Sequence, residues 1–122
     1  MTSDLRDLAR AAVALPGWEE QPGMLVDAAG LTLRVRRADD VLPWLTTTGE
    51  VRAYPDLTDP ATGGVLLCLL GPGWVVYYEA TIESYPEMWT LRGETVAGHG
   101  FSLAAACCSA ALAVGRWPGR QR

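Results

Sequence analysis

Residues 55–74 read PDLTDPATGGVLLCLLGPGW, and this stretch carries both ends of one helix. Asp59 is a good N-cap, because a short carboxylate accepts from the free backbone N–H groups of a first helical turn. Pro60 follows at the first helical position, where its missing N–H costs nothing. Gly71-Pro72 stops the helix. Between these signals nearly every residue is apolar, which predicts a helix buried on most of its surface.

Upstream, TSDLRDLARAAVALPGW (2–18) predicts an earlier helix, capped by Thr2 or Ser3 and ended by Pro16-Gly17. Its apolar stripe is Leu5, Leu8, Ala12 and Leu15. MLVDAAGLTLRVRR (24–37) has the pattern of a hairpin, with Leu31, Leu33 and Val35 alternating against Thr32, Arg34 and Arg36. Residues 38–53 give no clear pattern beyond a short strand at Arg52 to Tyr54.

Downstream, WVVYYEATI (74–82) and EMWTLRGETVA (87–97) predict a second hairpin turning at Ser84-Tyr85-Pro86, with Gly93 bulging or breaking its second strand. In the first strand Trp74, Val76, Tyr78, Ala80 and Ile82 form the expected core face, and Tyr77 and Glu79 the other. VAGHGFSLAAACCSAALAVG (96–115) then turns through Gly98-His99-Gly100 into a terminal helix from Ser102 to Val114. The order α-β-β-α-β-β-α predicts an α+β fold, an antiparallel sheet of hairpins layered with three helices. One domain over 1–116 is expected, with a flexible tail at 117–122.

The composition suits a folded chain: 49% of the 122 residues are hydrophobic and 20% charged. A net charge of −4 argues against duplex DNA or RNA as a partner, since neutralising phosphates needs a basic surface. Every basic residue is an arginine. Cys68, Cys107 and Cys108 lack metal-ligand spacing and read as small buried hydrophobes of a reducing compartment. No apolar stretch is long enough to span a bilayer and no leader pattern opens the chain, so a soluble cytoplasmic protein with no membrane partner is expected.

PDLTDPATGGVLLCLL followed by GWVVYY resembles small proteins of tailed bacteriophages and prophages that carry a PDLxDPATxGxLL signature. TLRGETVAGHGFSLAAACCSAAL is similar to the phage ABA sandwich domain, in which a strand leads through a glycine-containing turn into an alanine-rich helix. The likeness covers about residues 55 to 114, with an echo in ARAAVALPGWEEQPGM, where Glu20 replaces a usual aromatic. Gly64 after Gly63 is a further departure. The resemblance implies a phage accessory protein of the host bacterial cytosol with a layered α-β-α fold. It carries over no catalytic residue. Proteins of this setting often act against host defence.

Four groups of residues are candidates for function, each with a structural alternative. Gly98, His99, Gly100 and Ser102 precede a helix, where free N–H groups and the positive dipole end suit a phosphate; equally, they are turn and cap. Trp18, Trp44 and Tyr77 offer flat faces for a nucleobase, or pack in the core. Arg34, Arg36 and Arg92 can grip phosphate oxygens in pairs, or form solvated ion pairs. The terminal helix is apolar all round, so either neighbouring elements or a second subunit must cover it, which makes a homodimer or higher homo-oligomer an expected partner state.

These residues compose a ligand-binding set with no catalytic residue, metal site or cofactor. The reading they favour is sequestration of a small anionic nucleotide signal. A protein–protein inhibitor of a host defence enzyme is the alternative. A nucleotide hydrolase using His99 with Glu79, Glu94 or a tyrosine ranks third, because His99 has no evident partner acid.

Overall fold

The computed structural model describes residues 3–19, 21–28, 31–35, 53–80 and 87–120. Its order is α1 (Ser3–Val13), β1 (Leu25–Ala28), β2 (Leu31–Arg34), β3 (Ala53–Pro55), α2 (Pro60–Leu70), β4 (Val75–Glu79), β5 (Met88–Arg92), β6 (Ala97–Gly100), α3 (Leu103–Val114) and a 3-10 turn (Pro118–Arg120). The class is α+β, with three helices and antiparallel strands among the described residues. The strands divide between two three-stranded sheets, ordered β2-β1-β3 and β4-β5-β6, where the sequence predicts hairpins of a single sheet.

α3 is the centre of the molecule. β6 and β5 pack on one side of it, α2 and α1 on others. Ala104 to Cys108, Ala110 and Ala111 are buried, so the chain's own elements cover most of this helix without a second subunit. Small residues make this possible because they let backbones approach closely. The tightest approach is to β6, whose Gly98 lies directly against the α3 backbone at Ala106 and Ala110.

Gly98-His99-Gly100 is therefore strand, not the turn expected from its glycines. Leu91 pairs with Gly98 and Trp89 with Gly100. The single 87–97 strand is broken at Gly93, whose N–H donates to the Val96 carbonyl and so reverses the chain into β6. Glycine is required in β6 because a side chain on that face would enter the helix.

The segment 55–62 joins the two halves through hydrogen bonds. Asp56 holds a turn by accepting from the Thr58 N–H at 2.9 Å and its hydroxyl at 2.6 Å. Leu57 is fully buried, and its carbonyl accepts from the Ser102 hydroxyl at 2.6 Å. Asp59 caps α2 by accepting from the Thr62 N–H at 2.9 Å and its hydroxyl at 2.8 Å. The same buried Thr62 hydroxyl accepts from the Leu25 N–H at 2.9 Å, which ties β1 to the helix. The segment Asp59-Pro60-Ala61-Thr62 is thus a structural joint.

Arg34 completes the joint with a forked pair to Asp59 at 2.7 and 3.2 Å, and it also donates to the Gly23 carbonyl. The Arg34 hydrogen bond holds the Asp59 carboxyl below the usual carboxylate range against the opposing effect of burial, and the bonds from Thr62 lower it further. An unfolded chain therefore takes up the proton at higher pH than the folded one. The stabilisation is complete above about pH 4 and is lost as pH falls through the depressed folded value. Asp59→Ala is expected to cost about 1 to 2 kcal/mol by removing the cap. Asp59→Asn keeps a capping side chain, so urea melts from neutral to strongly acid pH should show a flatter loss of stability than wild type. Parallel pH curves would remove the charge pair from the account.

Residue 117, expected in a loose tail, is instead in the core. The Trp117 indole is fully buried, its Nε1–H donates to the Ala12 carbonyl at 2.9 Å and its ring packs at a tilt on Trp18 with centroids 5.5 Å apart. Pro118–Arg120 then packs against the end of α2. Among the cysteines, Cys107 and Cys108 are buried as expected, but Cys68 is exposed on α2.

Candidate functional site

The register of the second sheet sorts its residues into two faces. Val76, Leu91 and Gly98 are cross-strand neighbours, as are Tyr78, Trp89 and Gly100, and this is the face that meets α3. Val75, Arg92 and Ala97 form a row on the opposite face, and Tyr77, Thr90 and His99 form another. With strands about 4.8 Å apart, Tyr77 and His99 sit roughly 10 Å apart across β5. The face is exposed at Val75, Tyr77, Arg92, Ala97 and His99.

Two contacts organise this open face. The Arg92 guanidinium lies over the Tyr77 ring, 5.9 Å from its centroid. The Thr90 hydroxyl and His99 Nδ1 are hydrogen-bonded at 3.0 Å. That bond occupies one ring nitrogen and leaves Nε2 uncommitted among the described residues. Arg92 makes no ion pair among the described residues. A cation, an aromatic plane and an imidazole nitrogen are thus presented side by side to solvent.

Of the residues predicted from sequence, Tyr77, Arg92 and His99 come together here. The others do not join them. Arg34 is committed to Asp59. Trp18 is half-buried against Trp117. Gly98 and Gly100 back onto α3, and Ser102 caps it by accepting from the Ala105 N–H at 3.1 Å. Of the anion cradle expected at 98–102, Gly98 and Gly100 are taken up by that packing, while Ser102 lines an acidic cleft. Arg36 and Trp44 lie outside the described residues. Thr90 was not anticipated; its place beside His99 depends on the β5–β6 register, which the glycines of β6 hide.

The expected core face of β4 is also corrected. Val76 is 38% exposed and Tyr78 47%, against 52% and 47% for Val75 and Tyr77 on the other face, because β4 is an edge strand among the described residues. Tyr78 gains partial shelter from Trp89, at a ring distance of 4.6 Å.

A separate cleft of about 710 Å³ opens where α1, α2 and α3 begin. Leu5, Trp89, Phe101 and Leu103 supply its apolar wall, and Asp4, Asp59 and Glu87 its carboxylates. No arginine or histidine is among its described lining residues. That balance repels a phosphate, so a nucleotide is better served by the open face than by the concavity.

Among the described residues little nucleophilic chemistry is on offer. Burial pushes the Cys107 thiol up to about 12 and raises Cys108 further, which keeps both protonated and inert at neutral pH. His99 hydrogen-bonds to a threonine, and Glu79 stands on the far strand of the sheet in another row. Among the described residues no three His, Cys, Asp or Glu side chains converge to hold a metal, and no helix is long and apolar enough to cross a membrane. No family model matches the chain, and no curated protein or solved structure gives a significant match.

Proposed function

We propose that this chain is a non-catalytic binding protein whose ligand surface is the open face of the β4-β5-β6 sheet. The observation that carries the reading is the convergence of Tyr77, Arg92 and His99 on that exposed face. The ligand class that fits is a small anionic nucleotide. Its base stacks on Tyr77, its phosphate takes the guanidinium of Arg92, and His99 with Thr90 reads a ribose or phosphate oxygen. The phage-type resemblance of residues 55–114 supplies a setting, the removal of a host nucleotide signal by sequestration in the cytoplasm.

Titration calorimetry with cyclic dinucleotides and ADP-ribose-type compounds tests this. Arg92→Ala is expected to weaken the binding of a recognised nucleotide about tenfold or more, equivalent to about 1.4 kcal/mol, and Tyr77→Ala similarly. The ligand should be recovered intact when the protein is heat-denatured. Equal affinity in wild type and both variants would remove the open face as the site. Cleaved ligand would replace sequestration by hydrolysis.

A second reading is inhibition of a host defence protein by surface contact. It is favoured by Phe101, which is 63% exposed just beyond β6 and lines the cleft with Leu5, Trp89 and Leu103.

A further inference from the structure

The edges of the two sheets are not equally protected. β3 ends in Pro55, which has no N–H to offer a further strand. β2 carries Arg34, held in its pair with Asp59. β6 is packed along α3. β4 has none of these devices: VVYYE is free of proline, glycine and lysine, exposes apolar side chains on both faces, and has a described partner strand on one side only. Such an edge is a template for another strand.

The charges on the sheet select the occupant. Glu79 is the one charge on β4, and its neighbour on β5 is Met88. Arg92 lies at the other end of the same face, next to Val75 and Ala97. Neither has an ion-pair partner among the described residues. We propose that β4 pairs antiparallel with β4 of a second copy of this chain about a two-fold axis at Tyr77, so that Glu79 of each copy meets Arg92 of the other.

In that register Tyr77 faces its own counterpart, Val76 faces Tyr78, and Val75 faces Glu79. One strand beyond Val75 stands Arg92, on the same open face as the incoming Glu79. The two-fold generates this pair twice, as an isologous interface requires. A register shifted by one residue turns each β4 over, so Glu79 then lies on the opposite face from Arg92. On the other face Val76, Tyr78 and Trp89 from both copies form a small apolar cluster. The two α3 helices lie over β5 and β6, so at least three strand spacings, about 14 Å, separate them and they do not clash.

The product is a continuous six-stranded sheet with one open face. This self-pairing does not rest on the nucleotide reading. The two meet at Arg92, where an anion competes with the partner's carboxylate, so a bound anion weakens association and association weakens anion binding equally.

Sedimentation velocity without any nucleotide tests the pairing and leaves the nucleotide reading untouched. At high micromolar concentration the wild type should sediment at twice the 13.1 kDa chain mass. Glu79→Arg and Arg92→Glu should each weaken association about tenfold or more, since each change removes two pairs and adds like-charge contacts. The double swap, E79R with R92E, should recover the dimer. Val76→Lys should give a monomer with unchanged circular dichroism. A wild-type monomer overturns the proposal and leaves the edge to a strand of another protein. A dimer indifferent to the single charge reversals overturns the register.

Discussion

Gly98→Ala lowers stability by about 3 kcal/mol or more, the upper end of what overpacking does. The added methyl would stand 2.6 Å from the Ala110 Cα and 2.7 Å from the Ala106 carbonyl oxygen. Both are backbone atoms of α3, so no side-chain rotation relieves the overlap. The helix must lift from β6, and in lifting it also leaves Gly100 and Leu91. Gly64→Ala serves as the control, because a Cβ there meets nothing within 4 Å. On the exposed side of α2 that change should gain about 0.5 to 1 kcal/mol. Denaturation midpoints of both variants against wild type check the contrast. A Gly98→Ala protein as stable as wild type would mean that α3 does not lie on β6 as described.

Trp117→Ala is expected to cost about 3 to 5 kcal/mol, the range for truncating a large buried aromatic. The indole is fully enclosed, and its removal leaves a void against Trp18 and withdraws a donor from the Ala12 carbonyl. Trp117→Phe separates the two losses. It keeps most of the volume, and the missing hydrogen bond should cost about 1 kcal/mol. Urea unfolding measures both. A loss below about 1 kcal/mol for the alanine variant would show that this segment is not docked.

The readability of each element in the sequence follows from how local its cause is. The ends of α2 were legible because cap, first-turn proline and terminal Gly-Pro act within a few positions, and Asp59 caps as its type predicts. Ser102 and the start of α3 were legible for the same reason. β6 was not. Two of its four residues are glycines, which in isolation signal a turn, and their purpose appears only when α3 is laid against them. The burial of Trp117 was hidden in the same way, because its partner Ala12 lies at the other end of the chain.

The candidate site divides along the same line. Tyr77 could be assigned to the open face from strand alternation alone. Arg34 had equally good credentials as an anion ligand, since the sequence pattern sets it near Arg36 and Arg37. Only the fold shows that Asp59 already claims it. Competition between a ligand and an internal partner for the same guanidinium is invisible until distant segments are placed together. Thr90 shows the reverse error, since an unremarkable threonine acquires a role from the histidine paired beside it.

The bond from Trp117 to Ala12 spans 105 positions of sequence. α1 leaves the ribosome long before Trp117 does, and is sealed only after it. Until residue 117 has emerged, the wall that Trp117 gives to Ala12 and Trp18 is missing, and that end of α1 stays open to solvent. Closing so long a loop is entropically costly, and contacts this distant in sequence slow folding. During synthesis the nascent chain therefore passes through a stage in which α2 and its caps are complete while α1 still waits for its last contact. That interval is when the protein is most exposed to aggregation and proteolysis.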